Sequence, residues 1–150
     1  MITAILSFHE NMTGSELPRL KRQKGEDKIV GTAAQAFNVA PDRNGIFPGW
    51  IAGNLNLPPK GIKDAEGVGL CCQVFFVVDC QPLSVEIAID TPNVDSKFDP
   101  ENAERFLLSK NDTFHVPAKN MYRIQNHSKV KNCLMFWTII RPIKPKKQNK

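Results

Sequence analysis

Three histidines (His9, His115, His127) and four cysteines (Cys71, Cys72, Cys80, Cys133) are the side chains here best suited to holding a metal or moving a proton. Imidazole nitrogens and thiolates ligate zinc and its neighbours, but only where several of them converge. No C-x-x-C pair occurs, so neither a zinc site nor a dithiol redox motif is expected. Three of the cysteines sit in apolar runs, where the thiol behaves as a small buried hydrophobe. His115 stands between Phe114 and Val116. Strand alternation turns it to the face opposite theirs, which predicts a surface or interface histidine rather than a ligand. No nucleophile with a base beside it, and no pair of carboxylates, stands at a spacing that suggests catalysis. What the remaining polar side chains could do depends on the elements that carry them.

Those elements read as strands. From Gly45 onward the segments Ile46–Ile51, Leu70–Val78, Leu83–Ile89, Phe106–Leu108, Thr113–Val116, Met121–Gln125 and Cys133–Ile140 are rich in Val, Ile, Phe, Leu and Cys. Pro, Gly, Asn, Asp or Ser punctuates the gaps between them. Strand after short strand, with no helical period between, predicts an all-β sandwich or closed barrel. Residues 10–28 are polar and carry Gly14, Pro18 and Gly25, which predicts a loop or arm. Thr32–Phe37 could open a short helix, which Pro41 and the D-R-N-G run at 42–45 would stop. Pro142 and Pro145 close the last strand ahead of a basic tail. The expected organisation is an arm over 1–43, a barrel over 44–142 and a tail over 143–150.

A chain of 150 residues with 41% hydrophobic side chains is enough for one domain with a real core, and is not wholly disordered. Met1–Phe8 is too short for a secretory segment and lacks a basic lead, and no apolar run approaches a membrane span. A soluble, intracellular protein in a reducing compartment is therefore expected. The net charge of +5 is concentrated in Arg19, Lys21, Arg22, Lys24 and Lys28, and again in Arg141, Lys144, Lys146, Lys147 and Lys150. Such clusters attract nucleic acid or an acidic partner, or else serve as solvated tails that keep the domain soluble. No aromatic residues are interleaved with them, so a base-stacking platform has no support and direct nucleic-acid binding is expected to be weak or absent.

Residues 111–126 read N-D-T-F-H-V-P-A-K-N-M-Y-R-I-Q-N. The stretch resembles the second motif of cupin barrels, G-x5-P-x-G-x2-H-x3-N. Asn111 stands at the first glycine, Pro117 at the proline, Lys119 at the second glycine, Tyr122 at the histidine and Asn126 at the closing asparagine. Physically the spacing is a strand (Thr113–Val116), a tight Pro turn and a returning strand that points Tyr122 into the barrel. The first cupin motif, H-x-H-x3-4-E-x6-G, aligns through the apolar run 74–80, with Cys80 at the glycine and Gln73 at the glutamate. The two histidines would fall within Glu66–Gly69, where none occurs. Gln73 and Tyr122 thus hold degenerate metal positions, and neither a metal nor another cofactor is expected. Lys119 at a glycine position means that the turn avoids a positive φ there or accepts strain.

Among metal-free cupins, the sequence resembles the C-terminal cupin of the centromere protein C family over about Gly45–Pro142. The residues that carry this are V-F-F-V-V at 74–78, F-L-L-S-K at 106–110, F-H-V-P-A-K-N-M-Y-R-I-Q-N at 114–126 and L-M-F-W at 134–137. The family's text runs like F-x-V-P-x-G-N-x-Y-x-I-x-N, with a tyrosine at the old metal position. Its Arg-rich nucleosome-binding motif has no counterpart here, and the arm over 1–43 does not align. The resemblance implies a jelly-roll cupin without catalysis, working as a homodimeric module of an inner-kinetochore scaffold at the centromere in the nucleus. It also implies recruitment of a centromere or kinetochore assembly protein, such as a loading factor for the centromeric histone, and no role at a membrane. The alternative is a cupin that binds a small ligand, or catalyses without a metal, around Tyr122 and Gln73.

Several strands are apolar on both faces. In 71–78, Cys72, Val74, Phe76 and Val78 oppose Cys71, Gln73, Phe75 and Val77, and 133–140 behaves likewise. One face can fill a barrel, and the other needs a cover: the second sheet, the arm, a dimer partner or another protein. One bulge would exchange Phe75 with Phe76, so Val74, Phe75, Phe76 and Val78 are all interface candidates. Leu108 joins them from another doubly apolar strand, and Met135 and Trp137 do so because both residue types are enriched at interface cores. If Gln73 keeps the inward direction of the glutamate it replaces, Phe75 and Val77 point in, and Val74, Phe76 and Val78 point out.

Overall fold

Which face each strand buries follows from the period-two alternation of its apolar residues. In the computed structural model, which describes residues 15–16, 31–42, 46–91 and 97–143, that alternation sorts the chain into two sheets. The strands are β1 (Ser15–Glu16), β2 (Thr32–Val39), β3 (Trp50–Leu57), β4 (Ile62–Gly67), β5 (Cys72–Asp79), β6 (Val85–Asp90), β7 (Glu104–Leu108), β8 (Thr113–Val116), β9 (Met121–Asn126) and β10 (Cys133–Ile140). One sheet has six strands in the order β1-β2-β3-β10-β5-β8, and the other four in the order β4-β9-β6-β7. Every pairing is antiparallel. From β3 to β10 the chain passes back and forth between the sheets, the connectivity expected of a jelly roll. Among the described residues there is no helix, hence none that could cross a membrane.

The core lies between the sheets. Leu55 and Leu57 of β3, Phe75 and Val77 of β5, and Cys133 and Met135 of β10 meet Val85 and Ile87 of β6, Leu108 of β7 and Tyr122 and Ile124 of β9. The last strand, β10, is central: it pairs along its whole length with β3 on one side and with β5 on the other. Gly53 makes one close approach possible there. A Cβ at that position would lie 2.1 Å from the Ala34 carbonyl oxygen and 2.6 Å from Cζ2 of Trp137.

Three segments differ from expectation. Residues 32–39 form strand β2, not the start of a helix. T-A-A-Q-A-F-N-V contains good helix formers, but the segment lies along β3 from Thr32↔Asn56 to Val39↔Trp50, and that ladder overrides a weak local preference. Strand β3 starts at Trp50, leaves Ile46 exposed and runs on through A-G-N-L-N-L to Leu57. Its Asn54 and Asn56 look like loop signals, yet Leu55 and Leu57 alternate with them into the core. Strand β4, I-K-D-A-E-G, has too little apolar content to be read as a strand and exists because it pairs with β9. The expectations for His9, for residues 10–14 and 17–28 of the arm and for the tail beyond residue 143 lie outside the described residues.

Candidate functional site

The turn between β8 and β9 carries the chain from the six-stranded sheet to the four-stranded one. The turn is closed by the Asn120 amide donating to the Pro117 carbonyl at 3.2 Å. Lys119 has φ 68° and Asn111 has φ 73°, so both former glycine positions hold left-handed residues. Asparagine tolerates that region well, whereas lysine pays a penalty of about 1–2 kcal/mol. The Lys119 amide is tied to the Gly69 carbonyl at 2.6 Å, which holds the turn in place. Asn126 is fully buried, and its Nδ2 donates to the carbonyls of Leu57, Pro58 and Lys131 while its Oδ1 accepts from the Ser128 amide. The closing asparagine is therefore a clamp on three chain segments and owes nothing to a metal.

The metal positions themselves have come together as something else. Tyr122 is completely buried, packs edge-on against Phe75 at 5.4 Å and donates its hydroxyl to Glu66 Oε1 at 2.6 Å. Lys63 Nζ lies 2.9 Å from Glu66 Oε2 and 4.5 Å from the centre of the Tyr122 ring. Burial pushes the Tyr122 phenol well above its ordinary range and the Glu66 carboxylate adds to this, against a smaller opposing effect of a Gln73 hydrogen bond. Burial lowers the Lys63 ammonium, while its Glu66 partner pulls the other way. The Glu66 side chain is half exposed, so its attraction for Lys63 is screened by water.

This donor set does not fit a divalent cation. A lysine ammonium sits where a positive ion would have to approach, and the phenol is locked in its neutral form as a donor. Gln73 is buried beside it and offers only a neutral amide. Among the described residues, no three His, Cys, Asp or Glu side chains stand together. His115 is exposed on β8 opposite Val74, and His127 is exposed with Nε2 3.2 Å from Glu86 Oε2. Sequence reasoning missed Lys63 and Glu66. In a regular strand residues three apart face opposite ways, but β4 takes three steps, 63 to 66, opposite two steps of β9, 124 to 122. That bulge turns both side chains toward Tyr122, and no residue type in I-K-D-A-E-G announces it.

The interface candidates separate into two groups. Phe75, Leu108 and Met135 are 1%, 8% and 1% exposed and belong to the core, so no partner reaches them in this register. Trp137 pairs with Phe75 and Gly53 on the same inward side and packs against the core, which also removes it from the outer face. Val74, Phe76 and Val78 do point outward. Their neighbours on β10 are Leu134, Phe136 and Ile140, with Phe136 directly opposite Phe76. Phe76, Val78, Leu134, Phe136 and Ile140 are each 36–42% exposed and form a continuous apolar strip across two strands. Beside it, Thr32, Ala34, Asn54 and Asn56 line a groove of about 350 Å³ that also touches Val78 and Leu134.

Cupin-fold proteins are what this architecture matches. The Cnp3 cupin domain of Schizosaccharomyces pombe is similar with a TM-score of 0.52 at 15% identity, over 87% of this chain and 88% of that one. A protein of Thermotoga maritima described as a predicted oxalate decarboxylase is similar with a TM-score of 0.54 at 10% identity, over 89% and 96%. A cupin domain of Bordetella pertussis has a TM-score of 0.53 at 13% identity, over 79% and 100%. No family model and no curated protein matches the sequence. The chain is thus an all-β jelly roll with the cupin fold, a fold shared by a neighbour described as a predicted enzyme and by neighbours described only as domains.

Proposed function

We propose that this cupin is a non-catalytic homodimerisation and protein-docking module of an inner-kinetochore or centromere scaffold in the nucleus, where it recruits an assembly factor. The observation that carries the reading is the outer face of the six-stranded sheet, where, among the described residues, Phe76, Phe136, Leu134, Val78 and Ile140 are all partly exposed together. A patch of that kind marks an interaction site. A two-fold contact between identical chains needs one patch that can meet its own copy, and this face offers an apolar strip beside a groove. Two further observations support it. The interior holds the Tyr122–Glu66–Lys63 cluster, and among the described residues no group of His, Cys, Asp and Glu suits metal-assisted chemistry. The sequence retains V-P-x-x-N-x-Y-x-I-x-N with its tyrosine, the text it shares with the centromere protein C family, and the Cnp3 cupin domain is among its structural neighbours.

Light scattering across a concentration series tests the dimer. The unaltered chain is expected at twice its monomer mass. Phe76→Arg is expected at monomer mass with an unchanged far-UV spectrum, because a guanidinium buried without a partner in the contact is costly while in the monomer it stays in water. A Phe76→Arg chain that remains dimeric would remove this face from the proposal.

A further inference from the structure

The four-stranded sheet ends at β7 in an edge whose guard, among the described residues, is charge alone. Natural edge strands are blunted by shortness, by lysine and other charges, by inward-pointing charges, by proline or by a bulge. Among the described residues the other edges follow that rule. β1 has two residues, β4 is bulged and carries Lys63, and β8 has four residues and runs into Pro117. Strand β7, E-R-F-L-L, has neither lysine nor proline, and its register with β6 is unbroken from Val85↔Leu108 to Ile89↔Glu104.

Its side chains are also incompletely covered. Phe106 lies opposite Ile87, which is 0% exposed, so it is on the core-facing side, yet it is 50% exposed. Leu108, two residues on along the same side, is buried. On that side too, Glu104 lies opposite Ile89, and no cation among the described residues pairs with its carboxylate. On the other side, Arg105 is already held by Glu86 and by the Pro100 carbonyl, and Leu107 is exposed.

We propose that β7 is a docking edge for an extended peptide of a partner protein, which adds a fifth strand antiparallel to it. Main-chain hydrogen bonding selects an extended backbone, and the side chains directly opposite select its sequence. The incoming strand places a large apolar residue opposite Phe106 and, two residues later, a lysine or arginine opposite Glu104. It thereby completes the core at the flank where Phe106 is bare and matches the free carboxylate. A second copy fits less well. Two β7 strands paired antiparallel about Phe106 set Glu104 against Leu108, and the chain's own Arg105 is engaged elsewhere. This edge is separate from the Phe76 face, so it stands or falls independently of the dimer.

The test uses the full chain and a fluorescein-labelled synthetic peptide, T-T-V-T-F-T-K-T-T, with a second peptide bearing glutamate in place of the lysine. Saturating lysine peptide is expected to slow hydrogen exchange of amides in Glu104–Leu108 and to leave β5 and β10 unchanged. Glu104→Lys is expected to weaken the lysine peptide about tenfold by anisotropy, and the glutamate peptide to recover the loss on that variant. Exchange at β7 that does not respond to either peptide would overturn the proposal, as would Glu104→Lys having no effect. Protection of β7 that rises with protein concentration in the absence of peptide would assign the edge to a second copy instead.

Discussion

The two sides of strand β5 are nearly equal in sequence and opposite in circumstance. Phe75 and Val77 are 1% and 0% exposed, and the Phe75 ring stacks on Phe114 at 4.8 Å and meets Tyr122 edge-on. Phe76 and Val78, one residue along, are 39% and 42% exposed beside Phe136 and Leu134. Hydrophobicity alone does not distinguish the pairs. What distinguishes them is that the inward side is covered by the opposite sheet, whereas among the described residues the outward side has no such cover. Apolar surface left over after a core has closed is a better pointer to assembly than apolar residues counted along the sequence.

The largest effect separates the two phenylalanines. Phe75→Ala is expected to cost about 3–5 kcal/mol in urea unfolding, as a large buried ring is replaced by a cavity. Phe76→Ala, measured at a concentration where the chain is monomeric, is expected to cost less than about 1 kcal/mol. Equal costs would show that the two residues do not lie on opposite sides. A smaller change acts on the turn that aims Tyr122 at Phe75. Lys119→Gly relieves a left-handed lysine and should raise stability by about 1 kcal/mol, with no change in self-association. A loss of stability there would mean that the lysine side chain makes up for its backbone.

The smallest effect is a change of slope with pH. The Tyr122 phenol is raised from 10.0 in the folded chain, so above pH 10.0 the unfolded chain gives up that proton while the folded chain keeps it. Stability therefore falls as pH rises through that range. Lys63, lowered from 10.5, works the other way. The folded chain releases its proton first, and stability rises between the lowered value and 10.5. Tyr122→Phe removes the falling contribution and leaves the rising one. Its urea midpoints between about pH 9 and about pH 11 should decline less steeply than those of the unaltered chain. Parallel curves would mean that the phenol ionises alike in both states.

Much of the frame was legible in the sequence because strands that fill a core on at least one side advertise themselves. T-F-H-V at 113–116 and C-L-M-F-W-T-I-I at 133–140 were bounded correctly to the residue. The orientation of Phe76 followed from assigning Gln73 an inward position, an assumption the burial of Gln73 bears out. Met135 and Trp137 were misjudged because residue type favoured an interface, while pairing with Leu55 and Gly53 placed them inward. The interior cluster was illegible for a different reason. Lys63 and Glu66 reach Tyr122 only through a bulge, and a bulge is a property of two strands together. Strand β2 was likewise decided by its neighbour β3 rather than by its own residues.

The central place of β10 bears on the order in which the molecule can be made. The strand between β3 and β5 is synthesised after every other described strand, so two parts of the larger sheet that appear early must wait for residues 133–140 before they are joined. Contacts between segments so far apart in the chain carry a large loop-closure cost before any of them is rewarded. Folding on the timescale of milliseconds to seconds is the expected consequence. During that wait the flanks of β3 and β5 are open ladders, and the chain is then at its most vulnerable to pairing with the wrong partner. The outward apolar strip lies on β5 and β10, two of the three strands that meet at this seam.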